Sequence, residues 1–239
     1  MNYAGLLQEI KSRAYWRVEI RSTEYDSSRL PNRAAMTALL RAVVVSFRGW
    51  PYPYFEPNES RYNGKWLEGH INWEAYKEYW RLYESSQWLH YFAAHGVWLP
   101  KDKLFSGRSP KPPDHAGYIH VRDTLYTVTE VFRFAIGLAE RGVLDPVAHL
   151  SISLCNTRDC MLYEDFERLF FYNYVSESDQ PISQEWNVPA SELRAVADEK
   201  ALEMATKILS VFNWTPDEGQ VRILADDQRK LLERKLFTS

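Results

Sequence analysis

Three arginines and two aromatic rings make the best case for chemistry in this chain. Arg17 and Arg21 fall on the outward side of the alternating segment Tyr15–Ser22, where side chains two residues apart share a face. Arg48 opens the run Arg48-Gly49-Trp50-Pro51-Tyr52-Pro53. Its two prolines remove backbone donors and restrict their predecessors, so the run reads as a rigid, exposed elbow displaying Trp50, Tyr52 and Tyr54. Guanidinium groups grip phosphates through paired N–H donors, and a neighbouring ring can stack on a base or cover the guanidinium. Arg17, Arg21, Arg48, Trp50 and Tyr52 are therefore the candidate ligand-binding residues, for an anionic ligand such as a nucleotide or nucleic acid, or for a protein partner. The bland alternative is a solvated sheet face on which Glu19 pairs with its arginine neighbours.

Recognised catalytic constellations are missing. His90 and His95 are five apart, as are His115 and His120, beside Asp114 and Asp123. A helical zinc site needs histidines at i and i+4 with an intervening glutamate, so no metal is assigned. A metal-dependent nuclease wants a strand-borne aspartate and a Glu-x-Lys. Asp198-Glu199-Lys200 falls mid-helix, and Glu19-x-Arg21 ends in the wrong base. The G-x-S-x-G elbow and the glycine-rich phosphate fingerprints are absent, and no cofactor is implied. Cys155 reads as the end of a buried strand, and Cys160, beside Asp159, as the more exposed thiol. The acidic run from Asp159 to Glu203 lacks the glycine bend of a calcium loop. The balance leans against an enzyme. The alternatives are a metal-dependent nuclease or hydrolase with a non-standard site, or a structural homo-oligomer protomer.

Composition narrows the class further. With 239 residues, 45% hydrophobic and 26% charged, the chain can bury a substantial core. Ten glycines against nine tryptophans argue for a core built on rings rather than on glycine loops. Sixteen of the 52 residues from Phe47 to Trp98 are aromatic, about twice the chain's 15%. The net charge of −3 hides a front half, residues 1–122, at +5 and a segment 159–203 at −8. That asymmetry would steer an anion to one face or dock one copy on the back of another. The start lacks a signal-peptide pattern, no apolar stretch approaches 18 residues, and two cysteines make no disulfide framework. The expectation is a cytoplasmic protein without membrane contact.

The elements that must hold these residues are partly legible. Trp16, Val18 and Ile20 alternate with Arg17, Glu19 and Arg21, which predicts a strand over 15–22. Short helices are expected at 4–11 and 32–43, then a β-rich run at 43–47 and a strand at 64–73. Residues 74–95 fit helical spacing through Trp73, Tyr76, Trp80 and Tyr83, but read better as two strands, 78–84 and 87–94, around Ser85-Ser86. Four prolines between 100 and 113 mark a basic loop over 101–117, a flap or an internal boundary. Leu125, Val128, Phe132, Ala135 and Leu138 predict a helix over 122–141, with Gly142 as its cap. A strand at 149–154, a hairpin of 169–176 with 182–188, a helix at 189–212 and a last helix from Pro216 complete the reading. Interleaved hairpins and helices give an α+β fold: an antiparallel or mixed sheet packed against several helices, mainly helical towards the C-terminus. It is read as one domain over 1–239.

The RGWPYP elbow, the EYWRLYESSQWLHYFA segment, Tyr15-Trp16-Arg17-Val18 and the start of the helix at Thr124–Glu130 together resemble an uncharacterised group of prokaryotic proteins. The similarity covers about residues 5–215. Members of that group stand alone or follow a domain expected to bind DNA. The resemblance implies work alongside a nucleic acid or a nucleic-acid-binding partner, and assigns no catalytic residue.

Overall fold

The computed structural model describes residues 3–106, 113–164 and 174–236. Its centre is a seven-stranded sheet in which every pairing is antiparallel. The strands are β1 (Tyr15–Ser22), β2 (Arg61–Tyr62), β3 (Trp66–Trp73), β4 (Tyr76–Tyr83), β5 (Trp88–Ala93), β7 (Val147–Cys155) and β9 (Ile182–Pro189), in the order β2-β3-β4-β5-β1-β7-β9. The shorter β6 (Gly117–His120) and β8 (Cys160–Tyr163) pair in parallel as a separate ribbon. The helices are α1 (Tyr3–Ile10), α2 (Arg33–Val43), α3 (Lys101–Leu104), α4 (Val121–Glu140), α5 (Leu193–Val211) and α6 (Glu218–Leu232). The fold is α+β. No helix among the described residues is long and apolar enough to cross a membrane.

Alternation decides which side of the sheet carries the core. Trp16, Val18 and Ile20 of β1 lie beside Phe92, His90 and Trp88 of β5 and beside Leu154, Ile152 and Leu150 of β7. All nine are buried, and they face α4, whose Phe134 meets Trp88 at 4.9 Å between ring centres. Helices α5 and α6 pack onto α4 in turn, and Gln228 of α6 donates to Thr129 Oγ1 of α4 at 3.1 Å. The other face is covered in part by α1, where Leu6 and Ile10 pack on Tyr79. Helix α2 approaches α4 closely at Gly137, where a Cβ would stand 3.0 Å from that of Val43. That contact sets down the end of α2, and the elbow after it, alongside α4.

The aromatic segment resolves into strands whose rings divide between the two sheet faces. Residues 74–95 are a hairpin, β4 and β5, as their ring-rich composition predicts. Trp80 and Trp88 stack at 5.3 Å and both are fully buried. Several expectations need correcting. Pro189 ends β9 instead of starting a helix, and α5 begins at Leu193. Strand β9 pairs with β7, not with a preceding hairpin arm; residues 169–173 of that expected arm lie outside the described residues. The run 43–47 has only one bridge, Val45 to Tyr52. Of the expected basic loop, 101–104 is helical, and Arg108 and Lys111 lie outside the described residues. Cys160 is 1% exposed, and burial pushes its thiol up to about 12, so it is not the accessible thiol that its charged neighbours suggest.

The Trp80 indole depends on Gly69, its partner across β3 and β4. A Cβ at 69 would fall 2.2 Å from Trp80 Cζ2. Gly69→Ala should therefore cost about 1–3 kcal/mol through forced displacement of a buried ring, read by chemical denaturation. A neutral result would show that Trp80 has room to move.

Candidate functional site

The elbow is closed on itself before it touches anything else. Val45 N–H donates to Tyr52 O at 3.0 Å and Tyr52 N–H to Val45 O at 2.7 Å, so residues 46–51 form a tied loop with Arg48 and Trp50 on it. Arg48 reaches α4. Its Nη1 donates to Asp123 Oδ1 at 2.7 Å, and its Nη2 to Glu130 Oε2 at 2.5 Å and to Thr127 Oγ1 at 3.3 Å. Asp123, Thr127 and Glu130 lie at i, i+4 and i+7, the spacing that lines up one stripe of a helix.

The other flank of the elbow is fastened to the sheet. Tyr52, 6% exposed, has its hydroxyl 3.2 Å from His90 Nδ1, and His90 Nε2 is 3.2 Å from Glu78 Oε2. The same carboxylate oxygen accepts from Tyr54 N–H at 3.1 Å, and Trp80 Nε1–H donates to Tyr54 O at 2.8 Å. An acceptor at Glu78 places the His90 proton on Nε2 and leaves Nδ1 to accept from the phenol, an assignment made from the network. Burial first, then the Glu78 and Glu130 charges, raise Tyr52 well above its ordinary 10.0, which keeps it a donor. Tyr52 is thus an internal strut and not the displayed ring that the prolines suggest.

Between these attachments is a cavity of about 280 Å³ whose walls include Arg48, Trp50, Glu78, His95, Asp123 and Glu130, with Trp16 and Phe92 of the sheet. At its mouth Trp50 stacks on Tyr76 at 5.0 Å, Tyr54 at 5.6 Å and Trp73 at 6.2 Å, all within 24° of parallel. Trp73 is 54% and Tyr76 37% exposed. Two polar atoms of the walls are buried and have no hydrogen-bond partner among the described residues, Trp50 Nε1 and Glu130 Oε1.

The charges differ in kind. Burial lifts Glu130 above its ordinary 4.5; Arg48 and the Phe47 N–H pull it back, and Asp123 adds to the rise. Burial also acts on Asp123, but Arg48, His120 and His95 outweigh it and hold that carboxyl below its ordinary 3.8. Burial keeps His95 below its ordinary 6.5, with Asp123 opposing and Arg48 reinforcing. For Arg48, burial opposes the charge and the two carboxylates overcome it, so its pKa is raised. Two carboxyls pushed in opposite directions, Glu130 up and Asp123 down, stand side by side on one stripe of α4, and both can receive ligand donors.

Of the five residues read from the sequence, Arg48, Trp50 and Tyr52 converge here. Arg17 and Arg21 do not join them. The period of two sends them to the sheet face opposite Trp16, where both lean on Glu19, at 3.7 and 3.3 Å. Asp123, Glu130, Glu78 and His95 were missed. The signal was present on α4: Asp123, Thr127 and Glu130 are polar positions at helical spacing, one stripe away from the leucines and valines that define the helix's apolar face. Among the described residues no group of three or more His, Cys, Asp or Glu could hold a metal ion. Comparison with protein-family models, curated proteins and solved structures gives no match, so the site is read from its own chemistry.

Arg48→Ala would leave Glu130, 2% exposed, without its counter-charge. It should cost about 3–5 kcal/mol, while Arg48→Met combined with Glu130→Leu should recover most of the loss, because paired removal leaves no orphan charge. Equal losses in the single and double variants would refute the pairing. The carboxyls also act oppositely on stability. Glu130 holds its proton more tightly in the folded state, so its contribution falls as pH rises from 4.5 through its folded value; Asp123 holds its proton less tightly, so its contribution is lost as pH falls from 3.8. Glu130→Gln should therefore make stability climb more steeply with pH above 4.5, and Asp123→Asn should flatten the fall below 3.8. The second effect is the smaller, since Asp123 is 43% exposed. Denaturation midpoints across pH check both signs.

Proposed function

We propose that this chain is a binding module and that the cavity under the elbow is its small-molecule site. The observation that carries this reading is Glu130 Oε1, a buried carboxylate oxygen in a cavity wall without a partner among the described residues. Leaving a buried acceptor unpaired costs about 1–3 kcal/mol, more for a charged one, and a ligand N–H or O–H recovers that cost. Trp50 and Tyr76 supply ring faces and edges beside it. The volume of about 280 Å³ is just under the roughly 300–1,000 Å³ of drug-sized pockets, so the ligand is small. Phosphate is a poor fit, because the guanidinium that would receive it is already held by two carboxylates.

Compounds that raise the melting temperature of the wild-type protein should bind Trp50→Ala at least tenfold more weakly, a change of about 1.4 kcal/mol, while the variant keeps its circular dichroism. Hits that bind both proteins equally would place the site elsewhere.

A second reading, for an anionic ligand such as a nucleotide or nucleic acid, belongs to the opposite sheet face. There Arg17 and Arg21 share the single Glu19, and Lys11 sits 4.6 Å over the Tyr91 ring. Exposed pairs of this kind are weak and leave the guanidinium groups open to phosphate. Arg17→Ala with Arg21→Ala should leave folding intact and lower the salt dependence of binding to a single-stranded oligonucleotide. An unchanged salt slope would rule this face out.

A further inference from the structure

We propose that the ligand of the elbow cavity is a small organic cation carrying N–H donors, an amino or guanidino compound. This rests on the cavity being a ligand site and adds the charge and class of what enters it.

The charge balance of the walls supports it. Glu78, Asp123 and Glu130 bring three carboxyl groups to the cavity, and Arg48 is the one guanidinium set against them. Lys77 also borders the cavity, but its ammonium is turned to Glu9 at 3.0 Å and Asn72 at 2.6 Å, and so adds no charge inside. His95 is held in its neutral form by burial. His120 has a structural task at the head of α4, where its Nδ1 accepts the Asp123 N–H at 3.1 Å. Arg48 is spent on Asp123 and Glu130, and Glu78 is met by the Tyr54 N–H and by His90 Nε2, with no lysine or arginine on it among the described residues.

Glu130 then sets the kind of cation. It is 2% exposed and its Oε1 has no partner among the described residues, so it calls for a donor hydrogen and not a bare charge. The aromatic wall sets the rest. Trp50 and Tyr76 lie beside the carboxyl groups, and rings of this kind attract cations through their quadrupoles while covering apolar ligand atoms. A strongly hydrated metal ion gains little from such rings. Trp50 Nε1, also unpartnered, leaves room for one acceptor on the same ligand.

A matched set of probes tests the charge at constant shape. Benzamidine and benzylamine carry the guanidino-like and amino cations, benzamide is the neutral isostere and benzoate the anion. Isothermal titration to millimolar concentrations on the full chain should show the cations binding at least tenfold more tightly than benzamide, with benzoate not binding. Comparing benzamidine with benzylamine tells the two cation sources apart. Glu130→Gln, which keeps an acceptor for Arg48, should reduce cation binding at least tenfold and leave benzamide within about threefold. If that variant misfolds, Asp123→Asn, which leaves the Arg48–Glu130 contact in place, should still weaken both cations relative to benzamide. Benzamide or benzoate binding as tightly as the cations, with sensitivity to Trp50→Ala, would overturn the cation and leave the cavity standing as a ligand site. Binding of none of the four would overturn both. Displacement of benzamidine by magnesium or calcium would also overturn the proposal in favour of an inorganic ion.

Discussion

The contact of Arg48 with Glu130 and Asp123 is the constraint on which the site depends. It joins a loop that has no regular structure to the most deeply packed helix of the protein, and no other side chain of that loop reaches α4 through a charge. Taking a carboxylate and a guanidinium out of water is costly, and the attraction between them offsets that cost only when the geometry is good and the remaining donors are met. Here Thr127 takes a share of Nη2 and Asp123 takes Nη1, so the guanidinium is well supplied. The carboxyl is not, because one of its oxygens is left over. The surplus on the helix side, against the satisfied loop side, is what the proposed ligand site rests on.

The aromatic segment divides its rings between two tasks. Trp80 and Trp88 stack in the sheet's inner layer, and Phe134 of α4 closes on Trp88 from above. Trp50, Tyr54, Trp73 and Tyr76 form a second group around the cavity mouth, gathered from the elbow and from the turn between β3 and β4. Tyr52 separates the groups: its ring packs edge-on against Phe134 and Phe92, and its hydroxyl closes the chain through His90 to Glu78. The core and the cavity mouth thus draw on the same residue type a few residues apart, and composition alone could not separate them.

What could be read in the sequence follows from how local each determinant is. Strand β1 was legible residue for residue because alternation of Trp16, Val18 and Ile20 with charged neighbours is a local fact. The hairpin at 74–95 was legible from ring content and two serines. The elbow was recognised as irregular from its prolines, but prolines say nothing about burial, and Tyr52 went inside because a buried imidazole waited for its hydroxyl. Arg17 and Arg21 were placed correctly relative to β1 and wrongly relative to Arg48, since alternation gives two faces without saying which one the next helix covers. Strands β6 and β8 are four residues each, too short to show a period. Glu130 was hidden by a helix whose apolar stripe is clear enough to draw attention from the polar one beside it.

Gly69 has a bearing on more than the room it leaves for one indole. In an antiparallel hairpin a slip of two residues preserves the inward and outward faces and is the error that patterning alone does not prevent. In β3 and β4 such a slip would set Leu67 or Ile71 against Trp80 in place of Gly69, with a branched side chain where even a single carbon stands 2.2 Å from the ring. The missing side chain therefore acts as a notch that only the native alignment can fill. Since Glu78 sits two residues before Trp80 on the same face, the notch also fixes the depth at which its carboxyl enters the cavity. A glycine with no chemistry of its own thus sets where one of the cavity's acids stands.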